Sequence, residues 1–174
     1  LIEPGLRNGR LLLVALGARL AALMSLADSV YFDHLLWDER VYHEWAAALA
    51  NGTYDSASVY EFAPLPAYFF AAIYALFGSE VLWVRVANLV LGVATCGLVY
   101  AVGRRLADRT VGLVSGLVAA LYGPLVLYSV VPLKTSLSLA CFSGAMALLL
   151  ASLRAVGDPD ASARRTALVP AALG

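Results

Sequence analysis

Three stretches of this chain run for about a membrane's width without one charged residue: 86–103, 110–133 and 135–153. A helix needs roughly 20 apolar residues to cross a hydrocarbon core of about 30 Å. No water reaches that core, so a segment inside it must satisfy its own backbone, and a helix does so. A fourth apolar run, 11–27, is interrupted only by Arg19. Composition agrees, with 61% hydrophobic and 14% charged residues and a mean hydropathy of +0.80, outside the range of ordinary soluble domains. The chain therefore reads as all-α, a polytopic membrane helical bundle. Its formal net charge is zero, so nothing points to nucleic acid. Cys96 and Cys141 fall within the apolar runs and read as small buried residues.

Charge placement sets an expected topology. The spans are drawn at about 11–31, 81–103, 110–131 and 133–153. Arg7 and Arg10 precede the first, Arg104, Arg105 and Arg109 link the second to the third, and Arg154, Arg164 and Arg165 follow the fourth. Residues 28–80 carry eight acids and one base, Arg40. The positive-inside rule puts the N-terminus and the arginine-bearing links in the cytoplasm and the loop 32–80 outside. The uncharged stretch 62–79 threatens that drawing. Its helical part, about 66–77, starts at Pro66 and stops before Gly78, and at 1.5 Å per residue it rises only about 18 Å. It reads as an interfacial helix with its aromatic residues at headgroup level. Residues 25–27 resemble a signal-cleavage site, but the apolar region is long for one and contains Arg19.

The polar chemistry is concentrated in YFDHLLWDERVYHEWAAALANG, residues 31–52, which holds four acids and both histidines. A second interfacial helix is expected over about 38–50, ending at Asn51-Gly52. At 100° per residue, Trp37, Val41, Trp45, Ala48 and Leu49 form an apolar arc. Asp38 projects into that arc beside Tyr42, while Glu39 and His43 project to its polar side. An acid among apolar neighbours is costly unless paired, capped or used. Asp38 has two open readings, helix N-cap and catalytic carboxylate. Glu39 and His43 form half a metal site at most, and a lone pair of this kind is more often a solvated helix face. Arg19 reads as a snorkelling residue, a cavity liner or, above these, a member of an ion pair. Arg85 and Lys134, near the outer ends of their spans, are candidates either for a phosphate or for headgroup contact. Gly112-x-x-x-Gly116 reads as close helix packing.

With these residues placed, the chain resembles the N-terminal part of the C-type glycosyltransferases (GT-C). The resemblance is to the dolichyl-phosphate-mannose-protein mannosyltransferase-like group, family 39, which includes the aminoarabinose transferases. It rests on the Asp38-Glu39 pair, the aromatic helix VYHEWAAALANG, the Pro-rich start FAPLPAYFFAAIYALFG, and the run from VRVANLVLG through LKTSLSLACF. One departure is that YSVVPLKTS lacks the acid that members often carry before the fourth span.

The resemblance implies a fragment of a larger GT-C fold. Residues 1–174 would be the N-terminal part of that membrane domain, cut at the C-terminus. The expected activity moves a sugar from a polyprenyl-phosphate donor to a protein, lipid or glycan acceptor outside a bacterial cell membrane, with inversion. Asp38 would be the base and Glu39 its support, through orientation or binding of a divalent cation. Lys134 and Arg85 would meet the phosphate, with Tyr42 and His43 lining the substrate site. A transporter or flippase-like protein and a non-catalytic scaffold subunit are the competing readings. Transport would favour acids near the midplane of the spans, and spans two to four hold none past Glu80.

Overall fold

A computed structural model describes residues 4–32, 34–54 and 62–156. Asp33, Asp55, Glu61, Arg164, Arg165 and the apolar run from 167 lie outside the described residues. Among those described there are helices and no strand: α1 (Pro4–Ala27), α2 (Asp38–Ala50), α3 (Pro64–Phe77), α4 (Val81–Leu106), α5 (Arg109–Leu121), α6 (Gly123–Tyr128) and α7 (Thr135–Val156). A single 3-10 turn, Val30–Phe32, joins α1 to the approach to α2. The fold is an all-α membrane bundle. Among the described residues, three helical stretches are long and apolar enough to cross a membrane: Gly9–Ala27, Val81–Leu106 and Thr135–Arg154.

The expected third span, 110–131, is not one helix. α5 stops at Leu121, Tyr122 turns extended (φ −66°, ψ 111°), and α6 restarts through Gly123-Pro124. Proline has no N–H for the carbonyl four residues back, and its ring presses on that carbonyl. Here the carbonyl is Ala120 O, and Arg19 supplies a donor to it, with Nη1 at 3.3 Å. The same nitrogen donates to Ala15 O at 3.1 Å. Arg19 thus caps the end of a broken helix, where the helix dipole also favours a cation. This replaces the expected ion pair. Arg19 is only 1% exposed, so the guanidinium that meets the broken turn is itself enclosed by the bundle.

α4 is the central post, packed against α1, α5 and α7. Where α4 meets α5, glycine brings the backbones together. A Cβ on Gly112 would lie 2.7 Å from Tyr100 O and 2.9 Å from Arg104 N, and one on Gly103 would lie 3.0 Å from Gly112 Cα. Asp108 starts α5 by accepting from the Val111 amide at 2.9 Å. α7 runs alongside α4, and Arg105 and Arg154 tie the two by donating to Ala147 O and Arg105 O respectively.

At the other end of α4, α2 and α3 form a hairpin. Tyr42 and Ala46 of α2 pack with Ala67, Phe70, Ala71 and Tyr74 of α3 and with Val84 of α4. Small Ala46 and Ala67 allow the helices to approach, and Tyr42 sits edge-on to Phe62 and Phe70. The bundle therefore has an arginine-bearing end (Arg104, Arg105, Arg154) and an acid-bearing end (Asp28, Asp38, Glu39, Glu80).

Candidate active site

The chain turns into α2 through Trp37, whose φ of 47° with ψ −120° is the one positive-φ non-glycine conformation among the described residues. Such a conformation costs on the order of 1–3 kcal/mol and is held only by its surroundings. The turn lifts Trp37 out of its expected apolar arc, leaving it 86% exposed. The buried stripe of α2 accordingly runs through Tyr42 and Ala46, not through Trp37, Val41 and Ala48. Trp37 occupies the N-cap position and no side chain caps the helix. Asp38, in the first turn, is therefore not the cap, and its carboxylate is exposed.

Two cavities flank His34 at this end. A polar cleft of about 540 Å³ is lined by His34, Arg40, His43, Glu80 and Arg85. An apolar groove of about 260 Å³ runs between Leu26, Tyr31 and Leu36 on one side and Leu127, Val131 and Leu133 on the other, with Glu39 and His34 in its wall. Asp38 lines neither cavity, but it lies one turn before Tyr42 on the same stripe, and its charge helps raise the Tyr42 phenol above 10 after the larger effect of burial. Glu39 is half-buried. Burial pushes its carboxyl up from 4.5, and the Arg85 guanidinium pulls it partly back.

Arg85 is 1% exposed. Its Nη2 donates to Phe32 O at 2.9 Å, and the guanidinium covers the Phe32 ring at 4.2 Å from its centroid. It thus holds the 3-10 turn to α4 and gives the cleft a positive wall. Asn88, one turn on, does the same for the segment before α7, donating to Val131 O at 2.8 Å. Lys134 follows that segment and is exposed, one residue beyond Leu133 of the apolar groove. Tyr42 is fully buried in the aromatic cluster and faces neither cavity. His43 lines the cleft, with Nδ1 2.7 Å from Tyr74 Oη. Burial lowers its pKa from 6.5, opposed by the charges of Glu44 and Glu80. The structure therefore gathers Glu39, His43 and Arg85 around the two cavities. It leaves Asp38 and Lys134 exposed at this end and Tyr42 in the core. His34, Arg40 and Glu80 were missed as cavity residues; the signal for them was their membership of, or closeness to, the same polar stretch and span start. Among the described residues no three His, Cys, Asp or Glu side chains converge as a metal site.

Residues 61–174 match the sequence profile of the dolichyl-phosphate-mannose-protein mannosyltransferase family. The chain belongs to that family. The match spans α3 to α7 and begins after α2, so the placement of Asp38 and Glu39 rests on the geometry above. No curated protein and no solved structure matches the chain. Family membership and three membrane-length helices make this a multi-pass membrane glycosyltransferase of the C type, a class that uses a lipid-linked sugar donor and an acceptor.

Proposed function

We propose that the protein transfers a sugar from a polyprenyl-phosphate carrier to an acceptor hydroxyl, with inversion, at its acid-bearing end. That end faces the outside of the cytoplasmic membrane, because the charge asymmetry obeys the positive-inside rule in this orientation. α2 and α3 then lie at the outer interface. The observation that carries the reading is the pair of cavities sharing His34. A groove walled by Leu26, Leu36, Leu127 and Leu133 suits a prenyl chain, and a cleft with Arg40 and Arg85 suits its sugar-phosphate head.

In this reaction the acceptor oxygen attacks the anomeric carbon opposite the phosphate. The C–O bond to phosphate breaks, and its electron pair leaves with the carrier phosphate. Asp38, exposed on the first turn of α2, takes the acceptor proton. Glu39 supports it from the groove wall. Arg85 stabilises the departing phosphate through its field, its guanidinium being engaged with the Phe32 carbonyl, and Lys134 reaches the phosphate from the solvent side. The test is to incubate the full-length protein in proteoliposomes with labelled dolichyl-phosphate-mannose and a membrane extract. Label should leave the carrier and appear on acceptors with inverted anomeric configuration. Label that stays on the carrier, or transfers with retention, would contradict the assignment.

A further inference from the structure

His43 and Tyr74 come from different helices and meet in the wall of the polar cleft. Their rings are edge-on, 5.6 Å between centroids, with Nδ1 2.7 Å from the phenolic oxygen. Tyr74 is 3% exposed, and among the described residues no second partner reaches its hydroxyl. That decides which group donates. If the imidazole donated from Nδ1, the phenolic hydrogen would be buried without an acceptor, at a cost of about 1–3 kcal/mol. If Tyr74 donates, no buried hydrogen is wasted. The imidazole then carries its hydrogen on Nε2, on the ring edge away from Tyr74.

The surroundings favour this neutral state. A second proton would have to sit on Nδ1, against the Tyr74 hydroxyl hydrogen. Glu44 on α2 and Glu80 ahead of α4 pull toward protonation, and burial outweighs them. Among the described residues, Arg40 of α2, Arg85 of α4 and His34 are the remaining charged or titratable groups in the cleft, and both arginines oppose a further cation. Tyr74 itself is pushed up to about 12, chiefly by burial, so it keeps its hydrogen.

We infer that His43, fixed by Tyr74, is a neutral Nε2–H donor to an oxygen of the carrier-linked sugar phosphate, with Tyr74 as its positioning residue. The inference rests on the reading of the cleft as the donor site and adds to it a directional contact. Arg40 and Arg85 attract an anion without orienting it, whereas a tautomer locked by a buried phenol presents one hydrogen along one line.

Two measurements on the full-length protein test this. The first is the nitrogen NMR spectrum of protein labelled at histidine, with His43 assigned by loss of its signals in His43→Gln. His43 should hold the Nε2–H tautomer from pH 6.5 to 8 and become a tautomer mixture in Tyr74→Phe. An Nδ1–H tautomer or an imidazolium at pH 7 would overturn the inference. The second is binding of dolichyl-phosphate-mannose. His43→Phe should weaken it about tenfold, the equivalent of one neutral hydrogen bond. His43→Gln, which can place an amide N–H near the Nε2 position, should stay within about threefold of wild type. Equal affinities for wild type and His43→Phe would overturn the role of His43 alone. Failure of the wild type to bind would overturn the donor-site reading and this inference with it.

Discussion

Around Gly103 and Gly112, α4 and α5 touch backbone to backbone, with Ser115 the small polar neighbour of Gly103. About three to five turns earlier on α4, toward the acid-bearing end, Arg85 and Asn88 reach across to the carbonyls of Phe32 and Val131, and Gly92 makes room for Arg19. The first region is held by close packing of small residues, the mode expected where lipid supplies no hydrophobic drive between helices. The second is held by side chains that satisfy backbone which is not helical. Those breaks are what open the cleft and the groove. The half that holds the cavities is the half where helices are interrupted, and buried Arg19 and Arg85 satisfy carbonyls there.

Substitutions separate the two regions. Gly112→Ala should be the most damaging to stability, losing about 2–3 kcal/mol, because the new methyl meets backbone at Tyr100 and Arg104 and the helices must part. Gly116→Ala meets the flexible end of Leu11 first, at 2.7 Å, and should lose only about 1 kcal/mol. Thermal unfolding in detergent reads both; equal losses would break the account of the seam. In the interrupted half, Arg19→Met should cost about 2 kcal/mol by leaving Ala120 O without its donor. Adding Pro124→Ala restores an amide four residues on, so the double variant should recover part of that loss, and strict additivity would contradict the capping role.

Glu39→Gln should give the smallest change, and in the opposite direction. Burial raises the Glu39 carboxyl above 4.5, so the folded state prefers it protonated. Its stabilising contribution is complete below the unfolded value and is lost as pH rises through the folded one. A permanently neutral Gln should therefore raise Tm slightly at pH 7, with the gain fading on acidification toward pH 4.5. A gain that grows with acidification would reverse the sign.

Much of this architecture was legible as uncharged runs, because lipid leaves so few ways to bury an apolar segment. α4 and α7 follow directly from them, and Asn51-Gly52 and Gly78 marked the ends of α2 and α3. What failed was anything decided by a partner. Periodicity ranks Trp37 with the apolar arc of α2, but the arc that is buried is the one α3 can receive, and small Ala46 beside Tyr42 fits Phe70 and Tyr74 better. The break at Tyr122 was written in Gly123-Pro124, and the length of the uncharged run masked it. Arg19 seemed to need an acid because the carbonyl it caps is 101 residues away. The polar stretch and the two cavities lie at the same end of the molecule. Which of its side chains enter a cavity depended on the Trp37 turn and on Tyr74, and neither is visible in spacing.

The central claim is that the acid-bearing end performs sugar transfer with Asp38 as the base. Transfer from dolichyl-phosphate-mannose by Asp38→Asn in proteoliposomes, at matched insertion and Tm, tests it most directly. The account predicts a fall of about 100-fold or more in the transfer rate, the scale of a lost general base. A variant that transfers within about twofold of wild type would contradict it.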